Sequence, residues 1–214
     1  MSFIPDAATL AAFTAAVLVL VMTPGPDMTL FVSRALTQGR ASGLVSVLGT
    51  STGSVVHTLL VAFGLSALLA ASAEAFLVLK VVGALYLLWL AYQGLRHGSA
   101  LSVAARADTP RVPLGRVYLT GLLVNLLNPK IVLFFLTFLP QFVAANDPDA
   151  AGKLVFLGLY LVVLSVPFCV AMVLMAEGFS KGLRRSPRLM RAIDWLFAGV
   201  IGGFAVKILM TSRG

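Results

Sequence analysis

Three stretches of this chain carry no charge at all: residues 7–26, 41–73 and 154–176 contain no Asp, Glu, Lys or Arg. A helix crosses the hydrocarbon core of a bilayer with about 20 consecutive apolar residues, and each stretch reaches that length. Transmembrane strands are shorter and alternate in polarity, which these segments do not. The whole chain is 59% hydrophobic and only 11% charged, where soluble domains carry about 25% charged residues. Too little polar surface remains to cover a soluble core. The pattern predicts six spans, at roughly 8–33, 42–70, 75–95, 117–143, 153–177 and 192–211. The first begins after Met1–Asp6, which holds no Lys or Arg. It therefore lacks the basic lead of a signal peptide and reads as a permanent span.

Net charge is +8, but its placement argues against nucleic acid. Arg34 and Arg40 follow the first span, Arg96, Arg106, Arg111 and Arg116 the third, and Lys181, Arg184, Arg185, Arg188 and Arg191 the fifth. Only Lys153 and Arg213 fall in loops on the opposite side. Basic loops stay cytoplasmic, so both termini are expected outside, in the periplasm. The basic loops meet anionic lipid headgroups and lack the interleaved aromatics of a nucleic-acid surface. Cys169 is the single cysteine. It excludes an intrachain disulfide and a cysteine metal cluster, and is expected to pack as a small hydrophobe.

The longest linker, about 97–116, divides the chain into halves of three spans: repeat 1 about 1–96 and repeat 2 about 117–214, within a single membrane domain covering 1–214. An odd number of spans per half inverts the second half relative to the first, the plan of an inverted-topology repeat. Each half opens on a span broken by proline. Thr23-Pro24-Gly25-Pro26-Asp27 interrupts the first span and Asn128-Pro129-Lys130 the fourth. Proline removes a backbone donor and clashes with the preceding turn, so each break frees backbone polar groups at membrane depth. Such groups must find protein partners or line a wet cavity. The expected fold is an all-α membrane protein of six transmembrane helices in two inverted three-helix repeats, with helices 1 and 4 broken at proline. A matched pair of broken spans points to a transporter whose site lies between the repeats.

The breaks also carry the intramembrane charges. Asp27 is the acid nearest mid-span, and Lys130 lies near the midplane of the fourth span with Asn125 and Asn128 within two turns. A charge at that depth needs a partner or water. Asp27 is suited to a substrate ammonium or a proton, and Lys130 with the two amides to a carboxylate. The alternative is that Asp27 and Lys130 simply pair with each other. Exposed carbonyls ending the first half-helix suit a cation, and free N–H groups starting the second suit an anion. An amino-acid zwitterion offers both charges. Ser46, Gly49, Thr50, Gly53, Ser54 and His57 form a small-polar stripe on the second span. Gly49 and Gly53 allow close helix approach, and the same faces would serve a homodimer. His57 is either a proton relay or a hydrogen-bonded core residue. Lys80, inside the third span, either snorkels outward or binds substrate. Pro167 is expected to kink the fifth span. There is no HExxH, CxxC, GxSxG or Walker loop, so neither enzyme chemistry nor a cofactor or metal is expected. Transport would be driven by an ion or solute gradient. Competing readings are an exporter of another small solute or cation, or a membrane assembly factor.

Several of these segments together, Thr23 to Asp27, Asn125 to Lys130 followed by Phe134-Phe135 and Leu139-Pro140-Gln141-Phe142, and Lys80 with Gly83, Ala84, Tyr86 and Leu87, resemble the LysE/RhtB family of amino-acid exporters. The resemblance covers nearly the whole chain. It implies export of amino acids or their derivatives, such as threonine, homoserine, homoserine lactone or another neutral or basic amino acid, across the bacterial inner membrane. It also implies proton antiport as the mode. On this basis Pro24, Gly25, Pro26, Asp27, Asn125, Asn128, Pro129, Lys130, His57 and Lys80 are the candidate substrate-binding or coupling residues. The implied partners are a small-molecule substrate, protons and the lipid bilayer.

Overall fold

The structure is a computed structural model that describes residues 3–65, 112–144 and 147–176, with isolated helical positions between 81 and 92 and between 191 and 210. The described residues are mostly helical, with no strand among them. Most of the expected third and sixth spans and of the 97–116 linker lie outside the described residues. So do Lys80, Lys181, Asp194 and Lys207.

Helix α1, Ala7–Met22, starts at an N-cap where Asp6 accepts from the Thr9 amide. It ends because Pro24 follows: the residue before proline is pushed out of the helical region, and Thr23 is extended at φ −75°, ψ 122°. Helix α2, Pro26–Gln38, has its proline at the first position, where the missing N–H costs nothing, and Asp27 in its first turn. The two axes meet at 52°. Gly39, at φ 91°, then turns the chain directly into helix α3, Arg40–Leu59. That left-handed conformation suits glycine. A π-helical turn over Leu60–Leu65 continues α3.

The second half repeats the device. Helix α4, Leu114–Leu126, ends ahead of Asn128, and helix α5, Pro129–Leu133, again starts on a proline. Chain continuing from α5 is π-helical over Phe134–Phe138 and 3-10 over Leu139–Phe142. The bend here is 50°. Helix α6, Ala150–Leu174, runs unbroken through Pro167, so the expected kink does not interrupt the helix. By length and hydropathy α3 with its extension and α6 each suffice to cross a membrane, as does each bent pair if taken as one span.

Two apolar clusters flank the breaks. Phe13, Val17 and Leu20 of α1 pack with Phe134, Phe135, Phe138, Leu139, Leu157 and Leu161. Met28, Phe31 and Val32 of α2 pack instead with Val47 of α3 and Val173 of α6. The polar groups of the breaks lie where the chain passes from one cluster to the other. The most extensively packed helix pair is α3 against α4. There, a Cβ on Gly49 would collide with the Tyr118 carbonyl, and one on Gly121 would come within 2.7 Å of the Ser46 carbonyl. The small residues of the stripe thus bring two backbones into contact, as their spacing predicted.

Candidate functional site

Both proline breaks open onto one cavity of about 70 Å³. A single water needs about 10–15 Å³ of such space, so the cavity has room for a few waters. Its lining includes Thr23 and Asp27 from the first break, Asn125 and Lys130 from the second, Thr50, Ser51 and Ser54 from α3, and Ser165 and Cys169 from α6. The opposite charges expected to meet between the halves do share one compartment.

They do not pair with each other. Each is held by the other half of the chain. Asp27 Oδ2 accepts from Asn125 Nδ2 at 2.7 Å, and its Oδ1 accepts from Asn128 Nδ2 at 2.9 Å. Lys130 Nζ donates to the carbonyls of Thr23 at 2.9 Å and Leu20 at 3.2 Å. The direct Asp27–Lys130 ion pair, one of the roles expected from sequence, is therefore corrected. The reason is local: the first break leaves orphaned carbonyls beside Lys130, the second places two asparagine amides beside Asp27, and these lie nearer each charge than the two charges lie to each other. Hydrogen bonds to a charged group contribute about 1.5–3 kcal/mol each. Desolvating an ion costs several kcal/mol. Two bonds per charge roughly offset burial and leave little surplus, so fold stability alone does not account for these two charges.

Both charges retain capacity toward the cavity. A carboxylate has about four acceptor positions and an ammonium three donors. Two of each are engaged.

Asn128 is both cap and clamp. Its Oδ1 accepts from the Lys130 backbone N–H at 3.1 Å, which closes the start of α5 while its amide nitrogen reaches Asp27. An N–H expected to be open to a substrate carboxylate is thereby already satisfied. Asn125 is 2% exposed. Its Nδ2 also reaches Ser54 Oγ at 3.4 Å, and its backbone carbonyl lies 3.4 Å from His57 Nε2. Asn125 Oδ1 is buried without a hydrogen-bond partner and faces Gly53, where a Cβ would strike it. His57 stacks on Phe135, ring centroids 5.4 Å apart, and lies behind Asn125 rather than on the cavity wall. Pro24, Pro26 and Pro129 shape the breaks without lining the cavity. Gly25 lies against the Lys130 side chain, an added Cβ falling 3.1 Å from Nζ. Cys169 packs on the second apolar cluster, as expected, and also faces the cavity.

The carbonyls ending the first half-helix, expected to suit a cation, are those of Leu20 and Thr23, and they hold Lys130 Nζ; Ser51 and Ser165 on the wall carried no expectation. The proline at position 24 was the available signal for the carbonyls. The carbonyl of residue 20 would be paired in a helix with the amide of residue 24, and proline has none.

A multi-pass helical bundle with two broken helices and opposite charges around one shared cavity has the architecture of a secondary transporter. The chain matches the family of LysE type translocators over residues 18–212. It belongs to that family. It is 31% identical over 197 residues to the threonine efflux protein of Salmonella typhi, covering 91% of this chain and 94% of the relative. The threonine efflux protein of Escherichia coli strain K12 is 30% identical over the same shares. The homoserine/homoserine lactone efflux protein of Salmonella typhimurium is 29% identical over 181 residues, 85% of this chain and 86% of the relative. No solved structure matches the chain significantly.

Proposed function

We propose that this chain exports small amino acids or their derivatives from the bacterial cytoplasm across the inner membrane, by alternating access and in exchange for protons. The observation that carries the reading is the single cavity shared by Asp27 and Lys130 at the meeting of the two broken helices. Family membership and the efflux activities named for the relatives, toward threonine and homoserine or its lactone, support it. The spare acceptor positions of Asp27 receive the substrate's ammonium, and the remaining donor of Lys130 receives its carboxylate or, in a lactone, the ester carbonyl. The hydroxyls of Thr50, Ser51, Ser54 and Ser165 on the wall suit a short polar side chain.

Protonation of Asp27 weakens its hold on both ammonium and amide donors, which ties proton entry to substrate release. His57 contacts the backbone of Asn125, whose amide clamps Asp27, so a charge on His57 acts on that clamp rather than passing a proton along it. The paired bends of 52° and 50°, each followed by a helix that starts on proline, support two repeats of opposite orientation. Basic loops on one side support periplasmic termini.

The test is efflux from proteoliposomes loaded with labelled threonine, homoserine or homoserine lactone under an imposed pH gradient. Gradient-stimulated efflux is expected for at least one of these, and Asp27→Asn abolishes the stimulation. No transport of any of them by the wild type, or undiminished stimulation in Asp27→Asn, defeats the reading.

A further inference from the structure

Lys130 does more than balance charge in the cavity. Its ammonium sits on the two carbonyls that the Pro24 break strips of helical partners, at 2.9 Å from Thr23 O and 3.2 Å from Leu20 O. These oxygens end α1 and carry the partial negative charge of its C-terminus. The space beside them is kept open by Gly25, since a Cβ there would lie 3.1 Å from Nζ and 3.3 Å from Cε. A lysine head group and the α-ammonium of an amino acid are the same chemical group, a primary R–NH₃⁺ with three N–H donors. What cradles one is built to cradle the other.

We infer that the carbonyls of Leu20 and Thr23 form a primary-ammonium subsite, and that Lys130 is its tethered occupant while the transporter is empty. The inference rests on reading the cavity as an amino-acid site. An arriving carboxylate draws the Lys130 ammonium off the carbonyls, and the substrate's ammonium, first attracted by Asp27, takes the vacated place. Lys130 comes from the second half of the chain and the carbonyls from the first. The exchange therefore trades one of the ties between halves for substrate contacts, and it is complete when the substrate brings an ammonium together with a carboxylate or ester acceptor for Lys130. A molecule with a carboxylate but no ammonium, such as a hydroxy acid, would uncover the carbonyls without satisfying them.

The experiment is thermal melting of the purified protein in detergent. Lys130→Ala empties the cradle, and propylammonium replaces the missing head group. Its binding is expected to raise the melting temperature of the variant by about 2–4 °C. The wild type, whose cradle is filled, is expected not to respond. Tetramethylammonium, which has the charge but no N–H, is expected to stabilise neither. Lys130→Ser serves the same purpose should Lys130→Ala not purify. Equal stabilisation by both cations, an equal response in wild type, or no response in a folded variant overturns the subsite. The melt reads binding alone. A wild type that transports no amino acid defeats the proposed function, while the melt still decides whether the cradle takes an ammonium.

Discussion

Asn128, in the second half of the chain, donates from Nδ2 to Asp27 Oδ1, in the first half, at 2.9 Å, while its Oδ1 caps the Lys130 amide at 3.1 Å. One side chain thus fixes the acid of one break and the helix start that carries the cation of the other. The two charges are positioned by a shared neighbour.

Asn128→Ala removes both functions. Loss of an N-cap costs about 0.5–2 kcal/mol, and loss of a hydrogen bond to a charged group about 1.5–3 kcal/mol. A combined loss of about 2–4 kcal/mol is expected in detergent melts, with export abolished. Asn128→Asp keeps the capping oxygen but sets a second carboxylate against Asp27. It should lose at least as much stability as the alanine variant, because a second buried carboxylate beside Asp27 costs several kcal/mol, and it should also fail to export. Export by Asn128→Asp at the wild-type rate would show that the amide clamp is not required.

Gly49→Ala is expected to force α3 and α4 apart, because its new methyl meets the backbone of Tyr118 and Leu122, which cannot rotate away. Overpacking of this kind costs about 1–3 kcal/mol. Gly64→Ala, with no described atom within 4 Å of the added Cβ, is the matched control and should not lower the melting temperature. Equal melting of the two variants would count against backbone contact at Gly49.

His57→Phe keeps an aromatic ring to stack on Phe135 but removes the nitrogen near the Asn125 carbonyl. If the charge on His57 tunes proton binding at Asp27 through the Asn125 clamp, gradient-driven export should fall several-fold. Exchange of labelled for unlabelled substrate, which moves no net proton, should persist. A parallel fall in both assays would assign His57 to structure alone.

Asp6, just ahead of α1, gives a pH signature outside the bundle. Backbone and side-chain donation by Thr9 hold its carboxyl below the ordinary value. A depressed folded pKa means the cap is fully effective above the unfolded value, about 4, and is lost as pH falls through the lower folded value. Hydrogen exchange at the Thr9 amide should therefore show protection that weakens below pH about 4 in the wild type. Asp6→Asn, which caps without titrating, should show no such loss of protection. Identical pH profiles for the two proteins would rule out titration of Asp6 as the cause.

The breaks were legible because proline leaves a local mark. Pro24, Pro26 and Pro129 act on their own backbone, so the ends of α1 and α4 and the starts of α2 and α5 followed from sequence within a few residues. Asp27, Lys130, Asn125 and Asn128 stood out because polar side chains are costly at membrane depth. Gly49 and Gly53 were legible as close-packing positions because small residues at that spacing have one common use. The partner of each charge was not legible. Opposite signs in matching breaks suggested an Asp27–Lys130 pair, yet two asparagine amides and two carbonyls took those places. Cys169 read only as a small hydrophobe, and Ser165 carried no reading, until α6 was packed beside α2 and both faced the cavity.

The sequence by itself determined that the chain is a helical membrane protein, where its helices are interrupted and which side chains carry charge, since run length, proline and the cost of buried charge act over a few residues. Only the tertiary structure decided that each charge is held by the opposite half and that both face one cavity. Those facts depend on where carbonyls and amides distant in the chain arrive in space, and no residue-type pattern records that.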